Sequence, residues 1–111
     1  MRRYIVQLAD APLASYSGGV AGLAATRPAG GSPDLGSPAS HAYLDYLGAQ
    51  QAKAVGAMSA ALGRRVTPTF TYYYAVNGLA VNLTPAEAAQ VAKLSGVVAV
   101  RPDAAYKPVQ P

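Results

Sequence analysis

The sequence contains no cysteine. That absence excludes a disulfide framework and any thiolate metal site. Histidine is nearly absent as well, with His41 alone, and the five acids are dispersed as Asp10, Asp34, Asp45, Glu87 and Asp103. Such a set supplies neither a metal-ligand cluster nor a carboxylate pair for acid–base work. Asp45 falls one turn after His41, but a triad also needs a nucleophile brought to the pair by the fold. On an exposed helix face the two read as solvated neighbours. No catalytic residue, metal or cofactor is expected. Long apolar runs are missing too: none approaches the roughly 18 residues that span a bilayer, so no membrane partner is expected.

What remains is a chain of 111 residues, 51% hydrophobic and 13% charged. That length supports one core, and the low charge argues against extensive disorder outside the Gly/Pro-rich stretches. Nine basic residues against five acids leave a net charge of +4. The basic residues are scattered, from Arg2-Arg3 through Arg64-Arg65 to Lys107. No run of them can track a phosphate backbone, so no nucleic-acid partner is expected. Met1-Arg2-Arg3 carries the charge of a signal-peptide start, yet residues 4–8 are far too few for its apolar region. Either the protein is cytoplasmic, or the chain is an excised segment that begins after a removed signal, and excision would also explain the end at Gln110-Pro111.

Tyr4-Ile-Val-Gln-Leu8 is a β-branched run that predicts a first strand. Residues 15–40 are dense in Gly, Ala, Ser and Pro and show no periodicity, which predicts a flexible surface insertion. A helix follows, capped by Ser37 with Pro38 at its first position, or by Ser40 a little later. Leu44, Leu47, Gln51, Val55, Met58 and Leu62 recur three or four residues apart and draw one stripe with a single polar interruption. Gly63 ends the helix, beside Arg64 and Arg65 near the negative end of its dipole. Residues 66–74, rich in Val, Thr, Phe and Tyr, predict a second strand. Asn77-Gly78 is a strong hairpin signal, with residues 79–83 returning; Leu79, Val81 and Leu83 share one face, Ala80 and Asn82 the other.

Thr84-Pro85-Ala86-Glu87 predicts a capping box opening a second helix that runs to about Leu94. Ser95-Gly96 ends it, and Val97-Val-Ala-Val100 predicts the last strand, stopped by Arg101-Pro102. Residues 103–111 carry two prolines and predict an extended tail. The order β-α-β-β-α-β is that of an α+β, ferredoxin-like split βαβ fold: a four-stranded antiparallel sheet with two helices on one face. Crossover handedness is expected to make the first and last strands neighbours at the centre. The opposite sheet face stays bare, a candidate docking surface.

Several motifs imitate chemistry. Gly18-Gly19-Val-Ala-Gly22 has the glycines of a phosphate-cradling loop but lacks its Lys-Ser/Thr. Asn82-Leu-Thr84 matches a glycosylation sequon, but Thr84 is committed to capping and Pro85 follows. RNA-recognition modules share this element order, yet the strand at 79–83 lacks the aromatics and basic residues that base stacking needs. What is left is a scaffold without a catalytic constellation, which points to binding.

Four stretches together resemble the subtilisin-propeptide family of protease inhibitors. Tyr4-Ile-Val-Gln-Leu8 resembles its opening strand, and Tyr74-Ala-Val-Asn-Gly-Leu-Ala-Val-Asn-Leu-Thr84 its central hairpin, where an aromatic is usual at the position of Leu79. Residues 87–94 resemble its second helix and Gly96-Val-Val-Ala-Val-Arg-Pro-Asp103 its last strand. The resemblance covers the chain in order except residues 15–40, which are similar to an insertion in propeptides of some larger bacterial secreted subtilases. It implies a non-catalytic domain that docks its bare sheet face on a subtilisin-like protease, templates that enzyme's folding and inhibits it by laying its tail through the cleft like a bound product. The alignment places the cut after Val109. Tyr106 is then the fourth residue before it, Lys107 points outward and Pro108 stiffens the segment. A stand-alone inhibitor of the same family, or an unrelated ferredoxin-like ligand-binding or regulatory domain, are the alternatives.

Overall fold

The computed structural model describes residues 1–26 and 36–103. Six elements follow one another: β1 (Arg2–Leu8), α1 (Pro38–Leu62), β2 (Phe70–Tyr72), β3 (Gly78–Leu83), α2 (Pro85–Val91) and β4 (Val97–Pro102). The fold is α+β, with the predicted β-α-β-β-α-β order.

All four strands form one antiparallel sheet in the order β2-β3-β1-β4. The expectation that the first and last strands share the centre is therefore corrected. They are neighbours, but β1 and β3 are central and β4 is an edge. The reason lies in the two crossovers. β1 and β2 run parallel and leave a gap that β3 fills; β3 and β4 run parallel and leave a gap that β1 fills. Each helix thus skips one strand position, and the two halves interlock.

Alternation then sorts the side chains. Tyr4, Val6 and Leu8 of β1 and Leu79, Val81 and Leu83 of β3 face the helices and form one core with Met58 of α1 and Ala88 and Val91 of α2. Leu79, Val81 and Leu83 are fully buried, as the sequence alternation requires. Both helices therefore cover the same face.

α1 takes the earlier of the two starts that the sequence offers. The Ser37 hydroxyl accepts from the Ser40 N–H, Pro38 opens the helix, and Gly63 closes it at φ +66°. At 25 residues it is roughly 37 Å long, well beyond the span of the sheet. Only its C-terminal half, with Ala54, Val55, Met58 and Leu62, meets the sheet core. The N-terminal half, with Tyr43, Leu44, Tyr46 and Leu47, packs a second cluster with Leu13, Tyr16, Val20, Leu23 and Tyr73. Residues 11–26, which include the first part of the 15–40 stretch without periodicity, thus supply cover for the overhanging half of the helix. Tyr16 stacks on Tyr43 with ring centroids 3.8 Å apart. The glycine-rich turn that resembles a phosphate loop wraps a tyrosine hydroxyl instead: Tyr16 Oη accepts from the Val20 N–H at 3.0 Å and donates to Leu23 O at 2.9 Å. Thr26 Oγ1 donates to Leu13 O at 2.6 Å, and the Thr26 N–H to Tyr16 O at 3.0 Å.

The second strand and the hairpin differ from expectation. β2 holds three residues rather than 66–74. Pro68 cannot donate to a ladder, and the carbonyls of Tyr73 and Tyr74 accept from the Leu13 and Ala14 N–H groups at 2.7 and 2.9 Å. A distant segment has claimed the strand's end. Asn77-Gly78 makes no two-residue turn: neither residue has a positive φ, which that turn needs, and Gly78 already pairs with Tyr72 inside the sheet. Residues 73–77 form the connection. Asn77 is buried, its Nδ2 donating to Asp10 O at 3.0 Å and its Oδ1 accepting from Gln51 Nε2 at 3.1 Å. Gln51, the polar interruption of the stripe, also donates to Tyr72 O at 3.0 Å. It pins the midpoint of α1 to the β2–β3 connection.

α2 is shorter than its predicted extent, ending at Val91. Lys93 and Leu94 then bond back three residues, to Gln90 O and Val91 O, and Gly96 at φ +85° turns the chain into β4. β4 outlasts its predicted end by two residues, to Pro102.

Candidate functional site

The sheet face opposite the helices carries no element of the described chain. Register assembles it in rows. Phe70, Ala80, Ile5 and Arg101 lie side by side across β2, β3, β1 and β4; Tyr72, Gly78, Gln7 and Ala99 form the next row. Asn82 lies opposite Arg3 in a third row, which ends at Asp103, whose N–H donates to Arg3 O at 3.0 Å.

Phe70 is 52% exposed, a large apolar surface on a face that also exposes Arg101. At the β4 edge Val98 is 61% exposed, because the pairing with β1 slips between Gln7 and Leu8 and leaves it as the extra residue of a bulge. The result is an aromatic–aliphatic surface with cationic points. Apolar surface rimmed by polar groups is the kind of patch that serves as an interaction site.

Arg3 organises one corner. Its Nε donates to Asp103 Oδ2 at 2.9 Å, and its guanidinium carbon lies 5.1 Å from the centre of the Phe70 ring. A second ion pair joins Arg64 to Glu87. Arg64 grips Glu87 with Nε to Oε2 at 2.8 Å and Nη2 to Oε1 at 2.9 Å, and its Nη2 also donates to Asn82 O at 3.0 Å. The Arg64 hydrogen bonds, together with the Thr84 N–H donating to Oε1, pull the Glu87 carboxyl down to about 2. Arg64 therefore joins the end of β3 to the first turn of α2 rather than neutralising its own helix end.

The residues singled out for chemistry stay apart. His41 and Asp45 are exposed on the first turns of α1. Among the described residues no three of His, Cys, Asp and Glu gather as a metal site. No helix of the described chain is long and apolar enough to cross a membrane. The Tyr43 phenol is pushed up to about 12, chiefly by burial and next by the charge of Asp10; it donates to Ala11 O inside the second cluster. The tail residues Tyr106, Lys107, Pro108 and Val109 lie outside the described residues. Arg3, Phe70 and Asp103 were not singled out from the sequence. The alternation of β1, with Arg3, Ile5 and Gln7 facing away from the core, was the available signal for Arg3.

The sequence model of the family described as peptidase inhibitor I9 matches residues 3–108, nearly the whole chain. The chain belongs to that family, the subtilisin propeptides. No curated protein and no solved structure gives a significant match. An I9 domain is a non-catalytic inhibitor whose targets are subtilisin-like proteases. The match runs through residues 11–26, so the second cluster lies inside the I9 domain, not beside it. It also runs past the last described strand into the segment that holds Tyr106 and Lys107.

Proposed function

We propose that this I9 domain is the propeptide of a secreted subtilisin-like serine protease, acting as intramolecular chaperone and product-like inhibitor of the enzyme that follows it in the same precursor. The family match over residues 3–108 carries the reading. The bare sheet face supports it, since Phe70 and Ile5 offer an apolar centre and Arg101 a polar rim, the usual anatomy of a docking patch. The helices are committed to the two cores, which leaves this face as the surface to cover. In this reading residues 106–109 occupy the protease cleft. An extended segment pairs there by main-chain hydrogen bonds while alternate side chains fill pockets, Tyr106 foremost, with the cut after Val109. Covalent attachment before the cut makes docking intramolecular, so effective concentration adds to intrinsic affinity.

Inhibition tests it directly. The purified chain is expected to slow hydrolysis of a chromogenic peptide by subtilisin. Phe70→Ala should raise the inhibition constant at least about tenfold, the scale of an interface hot spot, and deletion of residues 106–111 should raise it comparably with the unfolding midpoint unchanged. No slowing at high micromolar protein would remove the inhibitor reading. Full inhibition by the truncated chain would remove the tail.

A further inference from the structure

Pro102 lies opposite Tyr4 at a position of β4 whose N side faces away from β1, so the ladder runs on past it to Asp103. Asp103 is fixed twice. Its N–H donates to Arg3 O at 3.0 Å, and its carboxylate accepts from Arg3 Nε at 2.9 Å. The pair is well covered, with side chains 18% and 9% exposed for Arg3 and Asp103. A main-chain bond and a charge-assisted side-chain bond together fix both the position and the orientation of one residue. Arg3 is held in turn by the Phe70 ring 5.1 Å away. Arg3 thus links Asp103, the last described residue, to the exposed Phe70 ring of the docking face.

We propose that Arg3 and Asp103 form a clamp that sets the direction in which the segment after residue 103 leaves the sheet. Docking through Phe70 then delivers that segment to the protease cleft in one register. The clamp rests on the reading of residues 106–109 as the cleft-binding segment. Its effect is preorganisation: a tail with a fixed root searches a smaller volume, and its effective concentration at the cleft is higher than that of a tail without one. Arg3 and Asp103 are positioning residues; neither needs to touch the protease.

A four-protein cycle decides the matter. Inhibition constants against subtilisin are measured for the full chain and for the chain ending at residue 103, each with Asp103 and with Asp103→Ala. The clamp requires Asp103→Ala to weaken the full chain by about tenfold and the truncated chain not at all, because no tail is left to aim. Asp103→Asn, which keeps an acceptor opposite Nε, should recover most of the loss. Equal weakening in both backgrounds would make the pair a prop of the fold or face and overturn the clamp. No effect of Asp103→Ala beside a strong effect of truncation would overturn the clamp and leave the tail reading standing. No effect of truncation would remove the tail reading and the clamp with it. Thermal unfolding of each variant separates lost folding from lost aim, and Asp103→Asn keeps the comparison open if Asp103→Ala does not fold.

Discussion

A Cβ placed on Gly78 would come within 2.7 Å of Val6 O, at the end of the β1–β3 pairing where Gly78 lies opposite Gln7. The contact is to main chain, which cannot rotate away, so either the central strands separate or the sheet buckles there. Gly78→Ala is expected to cost about 1–3 kcal/mol, the scale of overpacking in a tight interior. Urea unfolding measures it, and an unchanged midpoint would show that the strands can yield. The sequence marks this glycine for a different reason, as half of an Asn-Gly turn. Both residues matter, but neither turns the chain. Asn77 and Gln51 satisfy one another and the carbonyls around them, and among the described residues no buried side-chain nitrogen or oxygen lacks a partner. A buried amide is costly unless every such group is met, so the pair specifies how α1 docks on the β2–β3 connection.

The elements differ in how locally they are determined. Thr84 and Glu87 complete a reciprocal capping box, with Thr84 Oγ1 accepting from the Glu87 N–H at 3.2 Å. Every atom of that box lies within four residues, which is why it is legible in the chain. Arg64 adds a long-range partner to the same carboxylate. Because the folded Glu87 carboxyl lies near 2, below its usual 4.5, the unfolded chain binds the proton first as the pH falls. The stabilisation is complete above about pH 4.5 and lost on descending toward pH 2. Glu87→Gln should lower the urea midpoint at neutral pH and flatten that part of its pH dependence; an equally steep acid slope in the variant would assign the slope to other carboxylates. β2, by contrast, has the composition of a long strand and the length of a short one. Its neighbours decide its extent: Pro68 interrupts it at one end and residues 13–14 capture its carbonyls at the other.

At the scale of the molecule, one helix serves two cores. The sheet core holds the C-terminal half of α1, and the cluster of Tyr16, Tyr43, Leu13 and Leu47 holds the N-terminal half. A helix half that overhangs its sheet depends on whatever else covers it, since isolated helices of that length are marginal in water. Tyr16→Ala removes the ring stacked on Tyr43 and the hydroxyl around which residues 20–23 turn. Amide exchange is expected to quicken over residues 40–47 while amides of β1 and β3 keep their protection. Uniform loss throughout the chain would instead make the two clusters one cooperative unit.

The sequence by itself determined the order of elements, the capped start of α2, the two candidate starts of α1 and the inward face of β3. These follow from caps and alternation, interactions whose partners lie a few residues apart. The resemblance of four stretches to subtilisin propeptides was legible too, and the family match bears it out. Tertiary structure alone decided which strands are central, where β2 stops, what Asn77 and Gln51 do, and that residues 11–26 cover a helix. It also brought Arg3 to Asp103 and set the Arg3 guanidinium over Phe70. Those contacts join residues as many as 100 positions apart. No local pattern encodes them, because they exist only once strand register has closed the sheet.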